Sequence, residues 1–480
     1  MVIDAAPKKT KIVCTIGPAS QSPKVLSEMI RAGMDVCRLN CAHGDRKQYT
    51  QIIAAVRKIS DNRIPILLDV KGHDIRVVGL ELHLDVSTGE HVRLSSAGSH
   101  LASSSNKIKT IQISYNRLGA EVRLGHKILV DDGKIALEII KASDDWVECR
   151  ALNDGSVRPH CSVNVPGVVL SNFSKESHRK FLNDIEFAKK AKLDFLGLSF
   201  VNSASEIEFV NKRIAGSGIG IISKIESSMG VKNFGEILEA SYGIMVARGD
   251  LGVELPPEDV PIIQKKIIRA CNVAGKPVIT ATQMLDSMIN NPRPTRAETS
   301  DVANAILDGT DAVMLSGESA IGNYPVEAVN MLYRIIVRTE EVLQGNINVE
   351  IKNPGDAVSK AAYDASLELP VTKILSLTHS GHTARMIARF RPKAPIVAVT
   401  NSERVNRQLR LVWGVAPVRK HYRSTCTDER VYYSVKTAIE AGLLSPHDFV
   451  VLTAGITFGE KAVTNLMELR EVSDVLKRKA

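Results

Sequence analysis

Two apolar runs of strand length, GIGIISKIE from Gly218 and YGIMVAR from Tyr242, each end in charge: Lys224 and Glu226 after the first, Arg248 and Asp250 after the second. The runs start about one βα unit apart, so two successive buried strands deliver four charged groups to one rim. Two carboxylates there suit a hard divalent cation bound through oxygen. A lysine and an arginine supply the positive charge that a transferring phosphate needs. The competing reading is a pair of buried ion pairs. Burying four charges beside apolar runs without a ligand is costly, which favours a site.

The elements that must hold these groups repeat along the chain. Strand-like runs begin at Lys11, Met34, Pro65, Asp194, Gly218, Tyr242, Pro277 and Asp311, with helical segments such as Ser22 to Ala32 and Pro257 to Ala274 between them. Eight continuous apolar strands alternating with helices predict an α/β fold, a (β/α)8 TIM barrel. Ser22-Pro23 reads as an N-cap with Pro at the first helical position, and Thr295 to Glu298 as a capping box. From Gly72 to Pro166 the texture changes to alternating β runs with a hairpin at Asp131-Asp132-Gly133. This predicts an inserted small β-barrel lid over the active-site face. After Gly345, the runs KILSLTH, APIVAVT and DFVVLTAG predict a C-terminal α/β domain. The expected division is barrel 1–71 and 167–345, lid 72–166 and C-terminal domain 346–480.

Every barrel strand but the fourth ends in a chemically useful group, where catalytic residues of this fold belong. The second supplies Arg38 and Asn40, with Ala42 and His43 beyond; the third Asp69, Val70 and Lys71, with Asp74 and Arg76 beyond; the seventh Thr282; the eighth Ser316 and Glu318. Arginines fork onto phosphate oxygens. Gly249 lets a phosphate or carboxylate approach the backbone N–H groups of the turn that follows it. In the C-terminal segment, Thr378, Ser380, Gly381 and Thr383 form a hydroxyl-rich loop opening a helix, which reads either as a phosphate-binding terminus or as an ordinary capped turn.

Composition narrows the class. The 480 residues are 44% hydrophobic, ample for several cores, and carry 62 basic against 53 acidic side chains, a net +9. With 4% aromatics, no long basic run and no zinc-finger or helix-turn-helix spacing, nucleic acid is not an expected partner. Seven scattered cysteines read as free thiols in a reducing compartment. No apolar stretch reaches about 18 residues and the N-terminus has no leader character, so a cytoplasmic protein without membrane contact is expected.

RLNCAHG, DVKGHDIR, LVDDG, SKIES, MVARGDLGVELP, TATQMLDSM, NPRPTRAE and DAVMLSGE, in this order, resemble the motifs of pyruvate kinase from about Lys9 to Ala480. The resemblance implies transfer of the phosphoryl group of phosphoenolpyruvate to ADP in glycolysis, Mg2+ or Mn2+ held by Glu226 and Asp250, and a homotetramer. It places Lys224 at the transferring phosphoryl, Arg38 and Arg76 on phosphates, Thr282 on the enolate side, and Gly249 and Asp250 beside substrate. His43 and Asp132 fall on the nucleotide side, and Asn40, Asp69 and Val70 at a K+ site. Thr282 and Ser316 carry hydroxyls suited to a water relay for the proton. The loop at Thr378, Ser380, Gly381 and Thr383 resembles the one that holds an effector phosphate in regulated members. Ala42 stands where the family usually has serine, Val70 where it has threonine, and His73 and Asp74 where it has proline and glutamate. All four lie around the monovalent-cation corner, so K+ activation is expected to be altered. A metal-dependent barrel lyase or mutase acting on phosphoenolpyruvate or pyruvate would share the carboxylate pair but would not need the lid.

Overall fold

The computed structural model describes residues 8–477 apart from 43, 71, 73–74, 98–107, 169–174, 344, 346–348, 421–425 and 456–463. Lys71, His43, His73 and Asp74 therefore lie outside the described residues.

Lys11–Thr15, Val36–Asn40, Ile66–Val70, Phe195–Leu198, Gly220–Ile225, Gly243–Ala247, Val278–Ala281 and Ala312–Leu315 form a closed parallel barrel in chain order, the eighth strand returning to the first. Their continuous apolar character follows from burial on both faces. Val13, Val36, Leu67, Phe195, Ile222, Met245, Ile279 and Met314 fill the interior, while the alternate residues pack against the surrounding helices. The helix Pro23–Ala32 starts on the Ser22 cap, whose hydroxyl accepts from the Val25 N–H, and both halves of the Thr295/Glu298 capping box are formed. The helix expected from Pro257 begins instead at Val260, because residues 257–259 form a turn closed by Asp259 N–H to Pro256 O.

The insertion is a closed seven-stranded barrel. Lys127–Val130 and Ile135–Ser143 pair antiparallel around Asp131, Asp132 and Gly133, all three with positive φ. The C-terminal sheet has five strands, Val415–Arg419, Ile396–Thr400, Lys373–Leu377, Phe449–Ala454 and Leu466–Glu471 in spatial order, two more than the sequence reading gave. The added strands are the two edges. One contains Pro417, and the other mixes charged with apolar residues and runs antiparallel, so neither shows the continuous apolar run of a central strand. Leu411, from the C-terminal domain, joins the apolar cluster inside the barrel.

Candidate active site

The strand ends converge on a network centred on Asp69. Arg38 donates from Nε and Nη2 to Asp69 Oδ2 at 2.9 and 2.7 Å, and from Nη1 to Thr15 Oγ1 at 2.7 Å. Lys224 Nζ lies 3.3 Å from Asp69 Oδ1, 2.9 Å from Glu226 Oε1 and 3.0 Å from Ser199 Oγ. One buried carboxylate thus bridges the two cationic side chains expected at phosphate. Burial opposes its ionisation, yet Lys224 and Arg38 together hold Asp69 below the usual carboxylate range. Lys224 answers in kind: burial disfavours its charge, but Asp69 and Glu226 hold the ammonium firmly protonated.

Glu226 is nearly inaccessible; its Oε2 accepts the Phe200 N–H at 2.6 Å. Burial, followed by the charge of Asp250, pushes its carboxyl up against the pull of Lys224. The carboxylate of Asp250, in the first turn of the helix Arg248–Glu254, makes no hydrogen bond or ion pair among the described residues. Three carboxylates therefore face two cations. The donor set offered by Glu226 and Asp250 is oxygen alone, the chemistry of Mg2+ or Mn2+, so the residues fit the divalent metal the sequence predicts.

Arg248 departs from the role expected of it. Its guanidinium donates to Thr282 O at 2.6 Å, Ala281 O at 3.3 Å and Asp301 Oδ1 at 2.8 Å, so it shapes the turn after the seventh strand instead of facing a phosphate. In that turn Thr282 and Gln283 have φ of +68° and +53°. A β-branched residue in the left-handed region is strained, and such strain concentrates at functional sites. Thr282 Oγ1 accepts the Gly249 N–H at 2.8 Å and donates to Ala281 O at 2.6 Å. The Gly249 N–H is thus already bonded, leaving any approaching anion to the N–H groups beyond it. Buried Glu318 joins two strand ends by accepting from Leu285 N–H at 3.0 Å and Ser316 N–H at 2.7 Å.

Asn40 Oδ1 accepts the Ala42 N–H at 3.1 Å, and Val70 O accepts from Ser199 at 3.0 Å. In the lid, Arg76 pairs in register with Ser162, whose hydroxyl donates to Asp132 Oδ1 at 2.6 Å, so Ser162 links two nucleotide-side candidates, one on a strand and the other in the hairpin turn. The C-terminal loop is apart from the rim. Thr378 Oγ1 accepts the Gly381 N–H at 3.0 Å, Thr383 shares a 2.7 Å hydroxyl contact with Thr464, and Ser380 is exposed. The fourth strand was expected, but no functional group at its end: there Ser199 and Phe200 touch Lys224 and Glu226. The signal was only the serine near the end of DFLGLSF.

A family model described as pyruvate kinase, barrel domain, matches residues 7–329, and one described as pyruvate kinase, alpha/beta domain, matches residues 356–469. The chain belongs to the pyruvate kinase family. It is 43% identical over 486 residues to a pyruvate kinase of Sporosarcina psychrophila, covering 98% of this chain and 82% of that one. To a pyruvate kinase of Geobacillus stearothermophilus it is 45% identical over 483 residues, covering 98% and 81%. A crystal structure of a pyruvate kinase from Cryptosporidium parvum superposes with a TM-score of 0.87 at 34% identity, covering 97% of this chain and 96% of that one. The barrel, lid and α/β domain are thus those of a pyruvate kinase, and the chain is a phosphotransferase; these relatives give no support to the lyase or mutase reading. Among the described residues no helix is long and apolar enough to cross a membrane.

Proposed function

We propose that this pyruvate kinase moves the phosphoryl group of phosphoenolpyruvate to ADP, giving pyruvate and ATP in cytoplasmic glycolysis, and works as a homotetramer divided at residues 72–166 and 346–480. The observation that carries the site assignment is the Asp69 bridge, which holds Lys224 and Arg38 side by side, with the carboxylate of Asp250, unpaired among the described residues, nearby. Phosphoryl transfer asks a protein for alignment and charge, not covalent help. Lys224 and Arg38 hold the oxygens of the transferring group, Gly249 leaves room beside Asp250, and Arg76, His43 and Asp132 take the nucleotide. Glu226 and Asp250 hold Mg2+ or Mn2+, which when bound supplies positive charge beside the phosphoryl group. Thr282 and Ser316 orient the water that delivers a proton to the methylene carbon, while the lid excludes bulk water.

Asn40, Asp69 and Val70 offer oxygens to K+, and Ala42 offers none from its side chain, so K+ activation is weak or needs high concentration. Rates at constant ionic strength with K+ exchanged for a bulky organic cation check this; saturation at low millimolar K+ contradicts it. A phosphorylated effector would sit at Ser380 with Thr378, Gly381 and Thr383, and Ser380→Asp would abolish its activation. Equal activation of that variant would move the site elsewhere. The reading as a whole is tested by pyruvate formation from phosphoenolpyruvate with ADP and Mg2+ each omitted in turn. Dependence on both supports it, and pyruvate release without ADP overturns it.

A further inference from the structure

The end of the fourth barrel strand is built around the Lys224–Glu226 pair. Phe200 stands at φ +52°, a left-handed conformation costly for a bulky side chain. That kink turns two consecutive groups onto one ion pair: the Ser199 hydroxyl reaches Lys224 at 3.0 Å, and the Phe200 N–H reaches Glu226 at 2.6 Å. An ammonium has donors only, so Ser199 Oγ must accept from Lys224 and send its own proton elsewhere. The nearest acceptor is Val70 O at 3.0 Å, with Asp69 Oδ1 farther at 3.4 Å. The hydrogen bonds therefore run in one direction, from Lys224 through Ser199 to the carbonyl that ends the third strand.

Lys224 has a flexible four-carbon stem, and its two other partners, Asp69 and Glu226, are anions with further claims upon them. Asp69 also serves Arg38. Glu226 would also serve the divalent cation. Among the described residues, Ser199 is the one neutral partner, and neither claim disturbs its position. Val70 O has a second lone pair, so a monovalent cation there would polarise the same carbonyl that Ser199 uses. We propose that Ser199 is a positioning residue, which fixes Lys224 for phosphoryl transfer and couples it to the monovalent-cation corner through Val70 O. The proposal rests on the phosphotransfer reading of Lys224. Gly72 protects the arrangement: a Cβ there would lie 2.6 Å from Ser199 Cβ and 3.0 Å from its carbonyl oxygen.

Three variants test it by steady-state kinetics in K+ and in tetramethylammonium at constant ionic strength, with thermal midpoints recorded alongside. Ser199→Ala should lower kcat about tenfold or more with KM for phosphoenolpyruvate changed less than about threefold, and should alter the ratio of rates in the two cations. Ser199→Thr, which keeps the hydroxyl, should recover most of the loss. Gly72→Ala, which keeps the serine but displaces it, should reproduce the Ser199→Ala pattern. If Ser199→Ala retains kcat and the cation ratio within twofold while the wild type makes pyruvate with ADP, the proposal falls and the phosphotransfer reading stands. If Ser199→Ala and Ser199→Thr lose activity alike with an equal drop in thermal midpoint, the role is merely structural and the proposal falls. A wild type that makes no pyruvate with ADP and Mg2+ removes both.

Discussion

At the C-terminal rim of the barrel two cations, Lys224 and Arg38, face the three carboxylates Asp69, Glu226 and Asp250, whereas at the opposite end each buried carboxylate has its own arginine and a strand N–H. Asp311 takes Arg391 at 3.2 Å, the Val278 N–H at 3.1 Å and the Trp413 N–H at 3.0 Å. Asp194 takes Arg407 at 2.7 Å and the Ile66 N–H at 3.0 Å. These aspartates stand just before their strands, cap the start of the preceding one, and tie the barrel floor to the C-terminal domain. Burial of charge is common to both ends. What distinguishes the rim is imbalance, together with backbone strain at Phe200, Thr282 and Gln283. Buried carboxylates that are locally neutralised, with both oxygens bonded, read as scaffold; a carboxylate left over beside buried charge reads as a place for a ligand.

The largest expected effect lies at the floor. Asp311→Ala strands Arg391, which is 4% exposed, inside the domain contact, and should cost roughly 3–5 kcal/mol of stability. A thermal midpoint unchanged from wild type would erase the distinction between the ends. At the rim, Asp250→Ala removes an anionic ligand and should weaken Mn2+ binding at least about tenfold, read by metal titration, without a comparable loss of stability. Unaltered titration would take Asp250 out of the metal site.

The smallest effect is in acid and has opposite signs at the two ends. Asp69 is held below its unfolded value of about 3.9, so its stabilisation is present above that pH and is lost as pH falls through the depressed value. Burial outweighs Arg407 at Asp194 and pushes that carboxyl up, so its contribution is present below about pH 3.9 and is lost as pH rises through the raised value. Urea midpoints measured from pH 7 toward pH 3 should therefore fall less steeply in Asp69→Asn and more steeply in Asp194→Asn. Slopes that change in the same direction would contradict the contrast.

Much of this was legible in the sequence because the barrel strands are buried on both faces and so read as continuous apolar runs, with the useful groups directly after them. The hairpin at Asp131 to Gly133 was legible for a similar reason, since its turn residues tolerate positive φ. The rest depended on information that spacing does not carry. Ser199 escaped notice because a serine ending an apolar run looks like any loop entry, and its role arises only from the left-handed Phe200 beside it. Arg248 looked like a phosphate ligand because its chain position is shared with Asp250, but the left-handed Thr282 and Gln283 present carbonyls that capture its guanidinium. The edge strands of the C-terminal sheet lacked a two-sided burial pattern and could not be told from loops.

The most direct test sets one cation from each end against the other: kcat and thermal midpoint of Lys224→Met and Arg391→Met, measured side by side on the full chain. Both substitutions remove a buried positive charge and leave an apolar side chain in its place. Lys224→Met should lose at least roughly a hundredfold in kcat with a thermal midpoint within a few degrees of wild type, and Arg391→Met should lose stability while the folded fraction keeps kcat within a few fold. A Lys224→Met enzyme with wild-type kcat, or an Arg391→Met enzyme that is stable but inactive, would contradict the account.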